Sequence, residues 1–277
     1  MDMEGGPINL GIGGGGLTSF TYIWGRIGLC ATMVHCAVKY LKIMTFGVVV
    51  FPGSNCDKDT AYVLHDLLKQ DVVELWHKDT TLPAGLSAIV LPGGFSYGDY
   101  LRSGALAKFS PIMARVVEFA QAGGYVFGIC NGFQILCESG LLPGALLHNN
   151  SQKFVCRNTY LMPDSRSTAL TQYLPKTRPL KIPIAHGEGR YYADQDTIAQ
   201  MRINGQILFR YCNEAGELSE GSNPNGSIEN IAGVCNEGRN VFGMMPHPER
   251  AADPELGNTD GALILESLIR SLEAERG

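Results

Sequence analysis

Cys130 lies in Gly128-Ile129-Cys130-Asn131-Gly132, between the apolar run Tyr125 to Ile129 and the helix-like stretch Asn131 to Glu138. Gly-x-Cys-x-Gly at a strand-to-helix junction is the cysteine form of a nucleophile elbow. A sharp turn there projects the side chain beyond the sheet, and the flanking glycines let strand and helix approach closely. The helix that starts behind the sulfur offers free backbone N–H groups and a positive dipole end, which suit a thiolate and an oxyanion. A buried structural cysteine at a tight turn is the bland alternative.

A thiol nucleophile needs a base, and the base needs an orienting group. Of six histidines, His247 stands out in Met245-Pro246-His247-Pro248-Glu249-Arg250, directly after a strand-like run, Val241 to Met244. Pro248 disfavours helical backbone at His247. In an extended segment residues two apart point the same way, so Glu249 is expected to orient the imidazole from its own strand end. The expected triad is Cys130, His247 and Glu249. The loop from Leu91 to Tyr100 holds three glycines, Gly93, Gly94 and Gly98, more than a single turn requires. Backbone donors at Gly93 and Gly94, with the N–H of Asn131, are candidates for an oxyanion and ligand cradle, and Gln134 falls one helical turn after Cys130 on the same side.

These residues need a scaffold that brings distant strand ends together. From Met44 the pattern alternates: strands over 46–51, 72–76, 88–91 and 125–129, and helices over 57–70, 111–122 and 131–138, with Ser54 or Asn55 as cap of the first helix. That order predicts an α/β fold around a mostly parallel, doubly wound sheet, flavodoxin-like, whose ligand lies at the carboxyl ends of the strands. Short strands after Gly140 (145–147, 154–160, 182–184, 206–211, 231–234 and 241–244) predict an antiparallel extension of the same sheet. A final helix from Thr259 or Asp260 to about Ala274 has one apolar face. No internal repeat or hinge-like linker interrupts 44–277, so one domain is expected there. Residues 1–43 are expected to be a disordered or mis-assigned leader, with Met44 as the start. Their glycine run 11–16 lacks the preceding strand of a phosphate loop, and their apolar stretches fall short of the ~18 residues of a spanning helix.

A net charge of −5 with scattered Lys and Arg gives no footprint for nucleic acid. Eight cysteines without metal-ligand spacing predict no metal site and reduced thiols, consistent with a cytoplasmic protein. Cys56 is read among them as a core filler.

Gly-Ile-Cys-Asn-Gly-Phe-Gln (128–134) with Pro-His-Pro-Glu (246–249) resembles the class I, triad-type glutamine amidotransferases. The segments 51–57 (Phe-Pro-Gly-Ser-Asn-Cys-Asp), 92–104, 185–190 (Ala-His-Gly-Glu-Gly-Arg) and 223–227 (Asn-Pro-Asn-Gly-Ser) narrow the resemblance to the glutaminase subunits of phosphoribosylformylglycinamidine synthase. The resemblance covers about 44–277. It implies that L-glutamine is hydrolysed through a γ-glutamyl thioester on Cys130, with His247 as base and Glu249 as orienter. Ammonia then passes to a large, PurL-like synthetase subunit, with a small PurS-like bridging subunit. ATP and Mg belong to the synthetase, and this chain has no nucleotide-binding loop or cofactor motif of its own. His186, Glu188 and Arg190 have no triad role and are assigned to the ammonia exit or a subunit contact. Tyr191 stands where phenylalanine is expected. The competing readings are a glutaminase serving another synthetase, a non-catalytic regulatory relative, and a PfpI-like peptidase; in that group histidine follows the cysteine, whereas here Asn131 does.

Overall fold

A computed structural model describes residues 43–276. The expected leader therefore falls, but for Ile43, outside the described residues. The chain from there builds one nine-stranded sheet in the order β2-β1-β3-β4-β11-β10-β9-β6-β7. Its parallel half comprises β1 (Thr45–Val50), β2 (Asp71–Trp76), β3 (Ala88–Leu91) and β4 (Tyr125–Ile129), joined by β11 (Val241–Met244) alongside β4. All four residues of β3 and of β11 are buried. Such continuous apolar runs belong to strands covered on both faces.

The covering helices are α1 (Asp57–Tyr62), which continues as a wider turn over Val63–Leu67, α2 (Pro111–Gln121), α3 (Asn131–Glu138) and α5 (Asp260–Arg276). Ile264, Leu265, Leu268, Ile269 and Leu272 form the buried stripe of α5, as its helical spacing predicts. The α1 cap differs from expectation. Cys56 occupies the N-cap position without a side-chain bond, while Ser54 Oγ donates to the Phe51 carbonyl (2.9 Å) and closes the preceding turn.

The antiparallel half is β10 (Ile231–Cys235), β9 (Ile207–Cys212), β6 (Val155–Pro163) and β7 (Leu180–His186). Three features depart from the sequence reading. The strand 241–244, expected in the antiparallel extension, runs parallel to β4 and so belongs to the other half. The segment Ala145–Leu147 (β5) pairs with Arg190–Tyr192 (β8) in a separate two-stranded ribbon instead of extending the main sheet. A helix, α4 (Gln195–Ile203), stands where none is expected. Its interior side is only Ile198 and Met201, too thin a stripe to read as periodic. Its local signal is the cap: Asp194 Oδ1 accepts from the Thr197 N–H at 2.9 Å.

The last strand in sheet order reaches the centre of the molecule. The Pro183 carbonyl on β7 accepts from the His247 N–H at 2.8 Å, and the Ala185 carbonyl lies 3.8 Å from Cys130 Sγ. The antiparallel half thus curls back over the carboxyl ends of β4 and β11 and walls off the space above them.

Candidate active site

Cys130 joins β4 to α3 with φ 50° and ψ −104°, a region that costs a non-glycine residue of order 1–3 kcal/mol. The strain persists because the turn is held on both sides. Cys130 N–H donates to the Met244 carbonyl on β11 (2.8 Å), and its carbonyl accepts from Gln134 N–H (3.1 Å). A Cβ on Gly128 would meet the Gly132 carbonyl group at 2.7 Å, and one on Gly132 would collide with the Leu91 backbone of β3. The two glycines of the motif are spent on this close approach.

His247 and Glu249 follow β11, next to β4 in the sheet. Glu249 Oε1 accepts from His247 Nδ1 at 2.6 Å, with both side chains buried. The expected extended geometry does not hold: residues 248–251 form a 3₁₀ turn, and only His247 itself is extended (φ −101°, ψ 92°). Pro248 initiates that turn, which carries the carboxylate round to the Nδ1 side. His247 Nε2 has no hydrogen-bond partner within the described chain, nor has Glu249 Oε2. With Nδ1 committed as donor to Glu249, Nε2 is the nitrogen that gains or loses the proton. Burial alone would lower the His247 pKa, but the Glu249 carboxylate and the neighbouring Cys130 sulfur outweigh it and hold it well above 6.5.

A cavity of about 200 Å³ opens beside the sulfur, lined among others by Gly94, Asp99, Cys130, Gln134, His186 and Glu188. Gly94 has φ 138°, and its neighbour across an isolated bridge is Ser54. Gly93 is set apart from it. A Cβ there would lie 2.6 Å from His247 Cε1, so this glycine makes room for the imidazole. Asn131 Oδ1 accepts from Ser96 N–H (3.1 Å), and Asn131 Nδ2 donates to Gln134 Oε1 (2.9 Å). As the first residue of α3, Asn131 has a backbone N–H with no carbonyl of its own helix to bond. Gln134 Nε2 in turn donates to the Glu188 carbonyl at 2.6 Å, tying α3 to the 186–190 segment.

That segment is held by asparagines that sequence reasoning assigned no role. Asn149 Oδ1 accepts from His186 Nδ1 and from Gly189 N–H, each at 3.1 Å. Asn225 Nδ2 donates to the Gly189 carbonyl (2.8 Å) and faces His186 Nε2 at 3.5 Å. His186 is buried as neutral imidazole, its pKa pushed down to about 4 by burial and, secondarily, by the charge of His247. Glu188 Oε2 accepts from Ser103 N–H (3.2 Å). Arg190 is not brought to the cavity; its Nε donates to the His148 carbonyl (3.0 Å). Asp99, also missed, points its carboxylate at Asn131 Nδ2 (3.3 Å), and burial raises its pKa.

Cys56 is not a mere core filler. Its sulfur lies 3.8 Å from His247 Nδ1 and accepts from Arg250 Nη2 at 3.1 Å. The signal available for it was the segment 51–57, and for Asn225 the segment 223–227, both distinctive in sequence and neither explained by the triad.

A strained cysteine at the head of a helix and, past the end of the adjacent strand, a buried histidine bonded to a carboxylate are thus brought to one end of the sheet. The CobB/CobQ-like glutamine amidotransferase domain matches residues 44–260. "Phosphoribosylformylglycinamidine synthase subunit PurQ" of Moorella thermoacetica is 55% identical over 226 residues, covering 82% of this chain and 95% of that one. The Acaryochloris marina protein of the same name is 53% identical over 232 residues, covering 84% and 98%. A chain in the solved structure of PurLQS from Thermotoga maritima superposes with a TM-score of 0.73 at 41% identity, covering 83% of this chain and 99% of that one. The chain belongs to the PurQ family of phosphoribosylformylglycinamidine synthase subunits, within the glutamine amidotransferases.

Proposed function

We propose that this chain is the glutaminase subunit of a phosphoribosylformylglycinamidine synthase and hydrolyses L-glutamine by the triad Cys130, His247 and Glu249. The observation that carries this is a strained elbow cysteine whose sulfur helps hold up the pKa of His247, the histidine whose Nδ1 is bound to Glu249. The Cys130 sulfur, as thiolate, attacks the side-chain amide carbon of glutamine. Backbone N–H groups of Gly94 and Asn131 receive the oxyanion, with Gly93 seating the histidine behind them. His247 Nε2–H delivers its proton to the leaving ammonia, which leaves a γ-glutamyl thioester. A water, deprotonated by the same nitrogen, releases glutamate and regenerates the thiolate and imidazolium. Glu249 stabilises the imidazolium at each stage.

Gln134 and Glu188 contact the substrate from the cavity wall. His186 and Glu188 border the route by which ammonia leaves, and Arg190, half-buried on β8, faces another subunit. Ammonia is consumed by a PurL-like synthetase that converts formylglycinamide ribonucleotide to the amidine with ATP and Mg, in de novo purine synthesis, with a PurS-like bridging subunit. This chain contributes no cofactor. Among the described residues no helix is long and apolar enough to cross a membrane, and the free cysteines suit a cytoplasmic protein. A glutamine-shaped diazoketone tests the assignment: it is expected to alkylate Cys130 alone and to abolish glutamine hydrolysis. Labelling of another cysteine with activity lost would contradict it.

A further inference from the structure

Glu249 has a second oxygen that the triad does not use. Oε2 is buried with no hydrogen-bond partner, and the next residue in the chain is an arginine. An unpaired buried carboxylate oxygen beside a guanidinium is an invitation to an ion pair, which would draw the carboxylate off His247. The guanidinium is engaged elsewhere. Arg250 Nη2 donates to Cys56 Sγ (3.1 Å), and Arg250 Nε lies 3.3 Å from Asp59 Oδ2. Both partners belong to one short segment, the N-cap and third residue of α1. Cys56 is itself fixed: its N–H donates to the Gly93 carbonyl (3.3 Å), its carbonyl accepts from Thr60 Oγ1 (2.7 Å), and the residue is buried, 1% exposed.

We propose that Cys56 is a positioning residue: with Asp59 it holds the Arg250 guanidinium away from Glu249, so that the carboxylate serves His247 alone. Sulfur is suited to the place. Burial raises the Cys56 pKa, so it stays a neutral thiol, too weak an acceptor to compete with Glu249 for the Nδ1 proton 3.8 Å away. Cys56, His247 and Glu249 also lie within 4.8 Å of one another, a spacing that could suit a metal ion. The arginine on the sulfur and the Glu249–His247 bond argue against a cation there and for the brace.

The inference rests on the glutaminase reading, and glutamine hydrolysis by the wild-type complex separates the two: without it that reading fails first. Given hydrolysis, Cys56→Ala is expected to lower kcat about tenfold with KM for glutamine within twofold. The basic limb of the kcat/KM profile, which reports loss of the His247 proton, moves to lower pH. His247 is faced there by Glu249, Cys130, Cys56, Arg250 and the neutral His186; Cys56→Ala removes its own weak contact in any background, so the part of the shift that Arg250→Met reverses is the loosening of Glu249. Cys56→Ser, whose hydroxyl still accepts from Arg250, recovers most of kcat. Arg250→Met in the Cys56→Ala background restores both kcat and the pH profile. The proposal is overturned if folded Cys56→Ala keeps the wild-type kcat and profile. It is overturned equally if its loss follows only the unfolded fraction, or if removing Arg250 restores nothing.

Discussion

Glu249→Gln isolates what the carboxylate does. The amide keeps the size of the side chain but loses the charge that holds the His247 pKa up, and its NH₂ favours the wrong tautomer. We expect kcat for glutamine hydrolysis to fall on the order of 10²- to 10⁴-fold while substrate affinity barely changes, read from steady-state kinetics with the ammonia-driven reaction as control. His186 gives a stability test with its own sign. Its pKa in the folded chain, about 4, lies below the ordinary 6.5, so the unfolded state takes up its proton first as pH falls. Folding therefore gains from neutral His186 above pH 6.5 and loses that gain between 6.5 and 4, by roughly 3 kcal/mol. Urea midpoints at pH 7 and pH 4.5 are expected to differ more for wild type than for His186→Gln; equal differences would refute the assignment.

At the scale of elements, the legible parts of the sequence were those where one local rule decides. The elbow is fixed by Gly128 and Gly132 against neighbouring backbone, and β3, β4 and β11 by uninterrupted apolar runs. The contact of His247 with Glu249 was legible from their spacing of two, but it is made through a 3₁₀ turn where an extended strand end is expected. What could not be read depended on contacts far apart in sequence. Asn149 and Asn225 brace His186 from loops 37 and 39 residues away, and Cys56 meets His247 across 191 residues. The ribbon of β5 and β8 and the helix α4 lacked amphipathic pattern. Gly93 illustrates the same point. Its need for glycine lies in His247 packing on it, not in its own turn. Gly93→Ala is therefore expected to cost about 10²-fold in kcat through displacement of the imidazole, with thermal unfolding little changed. A large drop in Tm with kcat of the folded fraction intact would contradict this.

The whole molecule divides its labour along the sheet. The parallel half supplies Cys130 and the loop of Gly94. The antiparallel half returns through β7 to supply the wall at Ala185 and His186, so neither half alone encloses the cavity. Activation of the formamide oxygen of the ribonucleotide is, in our proposal, the work of another subunit. The measurement that bears on it most directly compares glutamine and ammonia as nitrogen donors for formylglycinamidine ribonucleotide synthesis by a cognate synthetase, with this chain as wild type or Cys130→Ala. We expect glutamine-dependent synthesis with wild type only, and ammonia-dependent synthesis with either form or with neither present. Glutamine-dependent synthesis undiminished with Cys130→Ala would contradict it.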